Sequence, residues 1–159
     1  MRAADALAPA VTRLVAAGVE DAARDARVLL AHALGIAPDR LTLHLPDEMT
    51  GPQATSYEAA LAAREARQPV AQITGRRLFW GQWFRVTRDT LDPRPETETL
   101  VAAALEEPFL KVLDLGTGTG CILLSCLRAM PVARGLGVDI SEAALEVAAD
   151  NSRSLGVQG

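Results

Sequence analysis

Apolar residues recur at helical spacing through roughly the first 70 residues of the chain. The first stripe keeps the i, i+4, i+7, i+8 spacing of one helix face and consists of Leu7, Val11, Leu14 and Val15. Gly18 follows it, at a position where glycine commonly ends a helix. Comparable patterns predict three further helical segments, over about residues 21–35, 39–45 and 52–67, the last ended by Pro69. Four short helices around one core predict a small helical bundle.

A different pattern begins at Pro69, where β-branched and aromatic residues become frequent. A β-hairpin is predicted in this stretch, with its turn at Gly81. Four of the six aromatic residues of the chain lie around that turn, at Phe79, Trp80, Trp83 and Phe84. Two interpretations are open for them. Either they pack the junction between the bundle and the following domain, or they form a platform for a protein substrate.

Strand and helix patterns alternate in the last third of the chain. The segment 112–120, VLDLGTGTG, is a short apolar strand followed by three alternating glycines, and an apolar helix pattern covers 122–127. A second apolar strand, 135–140, leads into a helix capped by Ser141 and ended by Gly156. Another helix is predicted ahead of the first strand, from the segment PRPETE to about Glu106, with acidic residues in its first turn that complement the helix dipole. This alternation predicts an α/β domain with a parallel sheet.

Composition and charge argue against several classes of protein. The 159-residue chain has a net charge of −4, which argues against direct binding of nucleic acid, since that needs clustered lysines and arginines. Its apolar runs are all shorter than the ~20 residues of a membrane span. Cys121 and Cys126 are predicted to be buried free thiols, and His32 and His44 stand apart from other ligating residues, so no metal site is predicted. We therefore expect a cytoplasmic protein that contacts no membrane.

The glycine loop points to a particular ligand. Gly116, Gly118 and Gly120 give G-x-G-x-G rather than the G-x-G-x-x-G of dinucleotide-binding sites. Asp114 lies two residues before the first glycine, where its charge would repel a pyrophosphate and attract a ligand with an ammonium and a sulfonium group. Asp139 ends the next strand, 19 residues after Gly120, where a carboxylate can accept hydrogen bonds from both ribose hydroxyls. The sequence therefore predicts a site for S-adenosyl-L-methionine and disfavours an NAD-dependent oxidoreductase.

Four segments of the chain resemble one known family. They are TGRRLFWGQWFRV, LDPRPETETLV, VLDLGTGTGCILLSCL and GVDISEAALEVAADN, and they resemble the protein-(glutamine-N5) methyltransferases of peptide chain release factors, the HemK/PrmC family. The likeness covers essentially all 159 residues, and its most specific parts are the FWG and PRPETE segments. It implies an α/β fold with a small N-terminal helical bundle, a β-hairpin linker, and the first half, two strands and two to three helices, of a class I Rossmann-like methyltransferase domain. The implied bounds are 1–74 for a helical domain that recognises the substrate, 75–92 for the hairpin linker and 93–159 for the incomplete methyltransferase domain.

The resemblance also implies roles for individual residues. The methionine part of S-adenosyl-L-methionine would be surrounded by Gly116, Thr117, Gly118, Thr119 and Gly120. Asp139 would hold the ribose, Ile140 would lie beside the adenine, and Asp114, Arg94 and Glu96 would complete the cofactor side of the pocket. The N-terminal bundle would grip a release factor, so that the glutamine of its GGQ motif enters the active site, and a monomer is expected.

One part of the family's pattern is missing from the chain. The family orients the poorly nucleophilic amide of its substrate with an Asn-Pro-Pro-Tyr motif, and the single asparagine here, Asn151, is followed by Ser152. No catalytic residue is therefore assigned, and we expect an N-terminal fragment that does not transfer methyl groups by itself. Asp92 is a smaller departure, at a position where the family often has an aliphatic residue. Two alternatives are open: a non-catalytic module that binds a release factor, and a fragment of a nucleic-acid base methyltransferase.

Overall fold

The structure, a computed structural model, describes residues 1–157 of the chain. The chain divides into two compact units, Met1–Thr74 and Gly75–Gly159. Each unit has its own hydrophobic core. The last two positions of the predicted methyltransferase region, 158 and 159, lie outside the described residues.

The first unit is helical. Its elements are α1 (Ala3–Ala16), α2 (Ala22–Leu34), a 3-10 turn (Pro38–Arg40) that leads into α3 (Leu41–His44), α4 (Gly51–Glu65) and α5 (Val70–Thr74). Gly18 and Gly35 follow α1 and α2 with positive φ angles, which confirms the predicted helix ends. Thr50 caps α4, because its Oγ1 accepts a hydrogen bond from the N–H of Gln53 while the Gln53 side chain accepts one from the N–H of Thr50.

Alanine rather than valine makes the close contacts of α1. Its buried residues are Ala3, Ala6, Ala10 and Leu14, whereas Val15, which the sequence placed in the apolar stripe, is 61% exposed. The distance between packed helices depends on the side chains at the contact, and α1 meets α2 through this alanine-rich face. The predicted bundle is confirmed: Leu14 is buried, Leu7 and Val11 pack against the core, and of the predicted stripe only Val15 is exposed.

Polar groups on α4 bind α2 across the first core. Nε of Arg64 donates to Oδ2 of Asp25 at 2.7 Å, and both side chains are mostly buried. The hydroxyl of Tyr57 donates to the carbonyl oxygen of Ala26 at 3.0 Å, and burial raises the pKa of Tyr57 to about 12. These bonds satisfy groups that would otherwise be buried without partners.

A short helix opens the stretch rich in β-branched and aromatic residues that begins at Pro69, ahead of the predicted hairpin. Residues 70–74 form α5, in which the N–H groups of Gln72 and Ile73 donate to the carbonyl oxygen of Pro69 at 3.0 and 3.1 Å. Val70 and Ile73 pack against the core of the first unit. Packing therefore overrides the local preference of these β-branched residues for a strand.

The second unit begins with the predicted hairpin. Its elements are β1 (Arg76–Phe79), β2 (Gln82–Arg85), α6 (Thr97–Ala104), β3 (Lys111–Leu115), α7 (Cys121–Ala129), β4 (Arg134–Val138) and α8 (Glu142–Leu155). The first two strands pair antiparallel. The other two pair in parallel, with Lys111 opposite Arg134 and Leu115 opposite Val138. This order of strands and helices confirms the predicted α/β class.

The aromatic residues at the hairpin turn differ in their surroundings. Phe79 and Phe84 are buried edge to face, with ring centroids 6.0 Å apart, in a core that they share with α6 and α7. Trp83 is half-exposed, and the Arg76 guanidinium lies 4.7 Å from the centroid of its ring. The hairpin therefore contributes core residues to the second unit. A role of Trp83 in a substrate platform stays a prediction.

The helix α7 packs on one face of the parallel sheet. A Cβ atom added at Gly135 would come within 2.7 Å of Leu123, and one at Gly137 within 2.8 Å of Oγ1 of Thr117. The two glycines of β4 therefore permit a close approach that a larger residue would prevent. Apolar side chains of the other face are exposed, at Leu113, Leu115, Leu136 and Val138.

Candidate functional site

The glycine loop joins the end of β3 to the start of α7. Gly116, Gly118 and Gly120 have φ angles of 73°, 54° and 79°, a region that residues with side chains rarely adopt. The N–H groups of Gly116 and Thr117 donate to the carbonyl oxygen of Val138, at 2.8 and 2.9 Å, so the loop folds over the end of β4. A Cβ atom added at Gly116 or Gly118 would meet nothing within 4 Å. The loop thus presents bare backbone that a ligand could approach closely.

Asp139 holds the loop from the end of β4. Its Oδ1 accepts a hydrogen bond from the N–H of Ser141 at 3.0 Å, and its Oδ2 accepts one from the N–H of Gly118 at 2.9 Å. These bonds, first from Ser141 and then from Gly118, lower the pKa of Asp139, so the group is a carboxylate at neutral pH. Because a carboxylate has about four acceptor positions, each oxygen keeps one for a ligand hydroxyl.

The side chains of two loop residues, Thr117 and Thr119, point inward. Oδ2 of Asp114 accepts a hydrogen bond from Oγ1 of Thr117 at 2.8 Å, and Oγ1 of Thr119 accepts one from the N–H of Cys121 at 3.3 Å. Thr117 and Thr119 are both buried. Any ligand contact of these two threonines is therefore made through backbone atoms.

The remaining predicted site residues lie on the surface. Ile140 follows Asp139 and is fully exposed. Arg94 and Glu96 lie in the segment before α6, and both are exposed. Among residues 1–157, neither side chain forms a hydrogen bond or an ion pair with the loop. The structure thus brings the loop together with Asp114, Asp139 and Ile140, and gives no such bond to Arg94 or Glu96.

The FWG and PRPETE segments are joined by a hydrogen bond. Oε1 of Glu98 accepts from the N–H of Trp80 at 2.8 Å, although the two residues are 18 positions apart. Trp80 has a φ angle of 48°, which is uncommon for a residue with a side chain. Beside complementing the dipole of α6, Glu98 therefore holds the turn of the hairpin against this helix, a contact that sequence spacing does not indicate.

Asp92 occupies a partly buried position beside the hairpin. Its side chain is 13% exposed, and its Oδ2 lies 3.6 Å from Nη1 of Arg77. Its Oδ1 is buried without a hydrogen-bond partner among the described residues. Burial raises the pKa of Asp92, while Arg77 and Arg94 act in the opposite direction. The departure from the family's aliphatic residue therefore leaves a poorly satisfied carboxyl at this position.

Replacing Asp92 with asparagine is expected to stabilise the second unit at neutral pH, by up to about 1 kcal/mol. A carboxyl whose pKa is raised by folding weakens the folded state as the pH rises above its unfolded value, here 3.8. The gain from Asp92→Asn should therefore shrink as the pH falls toward 3.8. Urea denaturation followed by tryptophan fluorescence measures it, with the exposed Asp89→Asn as the control. An equal gain in stability at neutral pH and near pH 3.8 would contradict a raised pKa for Asp92.

Asn151 on α8 is a candidate that the sequence did not indicate. Its side chain is 1% exposed. Its Oδ1 accepts a hydrogen bond from the N–H of Arg85 at 2.7 Å, and its Nδ2 donates to the carbonyl oxygens of Arg85 and Thr119 at 3.1 and 2.9 Å. The sequence contains only a weak signal for this role. Asn151 is a polar residue on the helix face that carries Ala144 and Val147, the other buried residues of α8.

Other groups with possible chemistry form no additional site. Cys121 and Cys126 are free and buried, as predicted, and burial raises the pKa of each thiol. His32 is exposed, and Nδ1 of His44 lies 2.9 Å from a carboxylate oxygen of Asp47. Residues 1–157 contain no group of three or more His, Cys, Asp or Glu that could hold a metal ion. Within the same residues, none of the helices combines the length and the apolarity that crossing a bilayer requires.

The charges at the loop discriminate between ligands. Asp114 and Asp139 place two carboxylates beside the loop, and no arginine or lysine side chain within the described part of the chain is hydrogen-bonded to it. The carboxylate of Asp114 disfavours the two phosphates of a dinucleotide, whereas an acid placed like Asp139 also binds ribose in dinucleotide sites. Together, the two carboxylates favour a ligand that carries positive charge and free hydroxyl groups.

Two family models match the chain, one in each part. Residues 5–75 match the PrmC N-terminal domain, and residues 106–159 match a methyltransferase domain. The glycine loop, Asp114, Asp139 and Ile140 lie within the second match. Arg94 and Glu96 lie between the two matches.

Curated relatives share one name, release factor glutamine methyltransferase. The chain is 67% identical to the protein of Cereibacter sphaeroides over 157 residues, which are 99% of this chain and 56% of the relative. It is 48% identical to the protein of Rhodospirillum rubrum, over 92% of this chain and 46% of the relative. It is 40% identical to the protein of Vibrio cholerae, over 96% of this chain and 54% of the relative. The chain spans about half the length of the curated relatives that it matches.

Proposed function

Because the chain belongs to the family of release factor glutamine methyltransferases, we propose that it binds S-adenosyl-L-methionine as the methyl donor for methylation of a release factor. The observation that carries this proposal is the geometry of Asp139. Its carboxylate is bonded to the glycine loop, keeps an acceptor position on each oxygen, and lies within the match to a methyltransferase domain.

The residues at the loop fit this cofactor in charge and shape. The backbone from Gly116 to Gly120 would hold the methionine part, because no side chain covers it at Gly116 or Gly118. Asp139 would accept the ribose hydroxyls, and the exposed Ile140 would lie against the adenine. Asp114 would contribute negative charge toward the ammonium and sulfonium groups. The cofactor supplies an electrophilic methyl group, and these residues bind and orient it.

The proposed acceptor is the side-chain amide nitrogen of the glutamine in the GGQ motif of a release factor. Its lone pair is delocalised into the carbonyl group, so the reaction needs groups that orient the amide and accept its proton. We assign neither task to a residue of this chain, whose sequence contains no Asn-Pro-Pro-Tyr. The chain's own contribution is therefore the cofactor site.

The first unit is proposed to recognise the release factor. It has its own core, and it matches a family model described as the PrmC N-terminal domain. Residues 1–74 would then be the recognition domain, and 75–92 and 93–159 would form the hairpin and the methyltransferase part. We still predict a monomeric, cytoplasmic protein that acts on protein rather than on nucleic acid.

A hybrid protein tests the proposed function. In it, this chain replaces the 157 matching residues of the Cereibacter sphaeroides relative. With tritiated S-adenosyl-L-methionine and a purified bacterial release factor, we expect the release factor to be labelled at a rate within about tenfold of that of the relative. This corresponds to a loss of transition-state stabilisation, ΔΔG‡, below about 1.4 kcal/mol. A release factor whose GGQ glutamine is replaced by alanine is the control and should stay unlabelled.

The outcomes of this experiment separate the alternatives. An unlabelled release factor, under conditions in which the relative itself labels it, would contradict the proposal. Binding of the release factor without labelling would favour the non-catalytic module. Labelling of RNA or DNA instead of protein would favour the nucleic-acid base methyltransferase.

A further inference from the structure

The side chain of Asn151 connects three parts of the second unit. It extends from α8, bonds both backbone groups of Arg85 at the end of β2, and donates to the carbonyl oxygen of Thr119 in the glycine loop. Asn151 is 66 residues from Arg85 and 32 from Thr119 along the chain. The three bonds are therefore tertiary contacts rather than part of a local turn or cap.

The three partners determine how the amide must face. Two of them are carbonyl oxygens, which need the NH₂ group, and one is an N–H, which needs the oxygen. The side chain is 1% exposed, so water does not compete with the amide for these partners in the folded chain. Loss of Asn151 would therefore leave the buried carbonyl oxygen of Thr119 and two part-buried backbone groups of Arg85 without this partner.

The glycine loop is held at two adjacent residues. Asp139 binds the N–H of Gly118, and Asn151 binds the carbonyl oxygen of Thr119. The helix that carries Asn151 also packs on the loop directly, since a Cβ atom at Gly120 would lie 3.4 Å from that of Ala148. Asn151 thus fixes the peptide group that follows Thr119. This support matters because Thr119 lies between Gly118 and Gly120, and glycine has little conformational preference of its own.

We propose that Asn151 is a positioning residue for the cofactor loop. It sets the orientation of the Thr119–Gly120 peptide and, with it, the backbone surface that S-adenosyl-L-methionine would meet. Its bonds to Arg85 also hold this loop in a fixed relation to the hairpin. The inference rests on the proposed function for the identity of the ligand, and it gives Asn151 no direct ligand contact.

Two substitutions on α8 separate positioning from general stability. Asn151→Ala removes all three hydrogen bonds, whereas Val147→Ala removes a buried apolar side chain from the same helix and breaks no hydrogen bond to the loop. Both variants are compared well below their unfolding temperatures. Asn151→Ala is expected to weaken S-adenosyl-L-methionine binding by roughly 10- to 100-fold, the range found for outer-shell partners of metal ligands. Val147→Ala should weaken it by less than about threefold.

A third variant, Asn151→Asp, gives a pH-dependent readout. The new carboxylate would face the carbonyl oxygens of Arg85 and Thr119, which repel it, whereas its protonated form can donate to one of them. Binding should therefore be weak at pH 8 and recover in part near pH 5, while the wild-type chain changes little because the pKa of Asp139 is lowered. The charged groups around the site, on the same cavity as Asn151, are Arg76, Arg85, Asp150 and Arg153, and they are common to both proteins.

Amide hydrogen exchange tests the inference without a ligand. We expect the amides of Gly118, Gly120 and Cys121 to exchange at least about tenfold faster in Asn151→Ala than in Val147→Ala. Equal exchange and equal binding in the two variants would overturn the positioning role. If the wild-type chain does not bind S-adenosyl-L-methionine, the proposed function fails, and the exchange comparison still decides the role of Asn151.

Discussion

Replacing Asp139 with alanine is expected to lower the affinity of the chain for S-adenosyl-L-methionine by at least about 100-fold. The substitution removes two proposed hydrogen bonds to the ribose, each worth about 1.5–3 kcal/mol when one partner is charged, and about 1.4 kcal/mol corresponds to a factor of ten. It also frees the N–H of Gly118, so the loop loses one of the bonds that hold it, while those to the carbonyl oxygen of Val138 remain. Isothermal titration calorimetry with the 159-residue chain measures the effect.

Two further variants make this result specific. Asp139→Asn keeps one acceptor oxygen and should have an intermediate affinity, because that oxygen also bonds a backbone N–H and the NH₂ group cannot accept a ribose hydroxyl. Asp89→Ala removes an exposed carboxylate of the same unit, which contacts only Thr87 in the described structure, and should bind like the wild type. Unchanged binding by Asp139→Ala, with an unchanged circular dichroism spectrum, would mean that the ribose is held elsewhere.

Replacing Gly120 with alanine is expected to destabilise the second unit by about 2–5 kcal/mol and to abolish cofactor binding. A residue with a side chain in a left-handed conformation costs about 1–2 kcal/mol, and the φ angle here is 79°. The added Cβ would also lie 3.1 Å from Leu124 and 3.4 Å from Ala148, and such overpacking costs about 1–3 kcal/mol. The loop would have to move away from both α7 and α8 to relieve these two contacts.

Gly156 provides a matched control for this substitution. It also has a positive φ angle, 66°, but a Cβ atom there would meet nothing within 4 Å. Gly156→Ala should therefore cost about 1 kcal/mol and leave cofactor binding intact. Both tryptophans, Trp80 and Trp83, lie in the second unit, so their fluorescence in urea reports its unfolding alone. Equal losses of stability in the two variants would contradict the packing assigned to Gly120.

Local signals in the sequence predicted the elements well. Gly18, Gly35 and Gly156 follow helices at positive φ angles, and the hairpin turns at Gly81, because glycine is favoured wherever the chain needs such a conformation. The apolar strands before and after α7 pair in parallel as predicted. These features depend on a few neighbouring residues, so a single sequence contains enough information to find them.

Features that depend on packing could not be predicted in this way. Ala6 and Ala10 are buried in place of Val15, because alanine has too little apolar surface to dominate a periodic pattern although it permits close helix contact. The residues of α5 have the composition of a strand but pack on the first core as a helix. In each case, tertiary contacts outweigh a weak local preference.

The sequence predicted which groups come together at the candidate site, but not the contacts that support them. The loop glycines and Asp139 follow from residue type and spacing, and the structure places them together. The inward direction of Thr117 and Thr119, the bond from Trp80 to Glu98, and the contacts of Asn151 join side chains to distant groups. Sequence spacing contains no signal for such contacts.

Competitive binding to the glycine loop tests the cofactor assignment most directly. S-Adenosyl-L-homocysteine, NAD and ATP are titrated separately into the 159-residue chain, and each is then tested as a competitor of S-adenosyl-L-methionine. We expect one S-adenosyl-L-methionine per chain, displaced by S-adenosyl-L-homocysteine and not by NAD or ATP, because the carboxylate of Asp114 lies beside the loop and repels phosphates. Failure to bind S-adenosyl-L-methionine, or tighter binding of NAD at the same loop, would contradict the assignment.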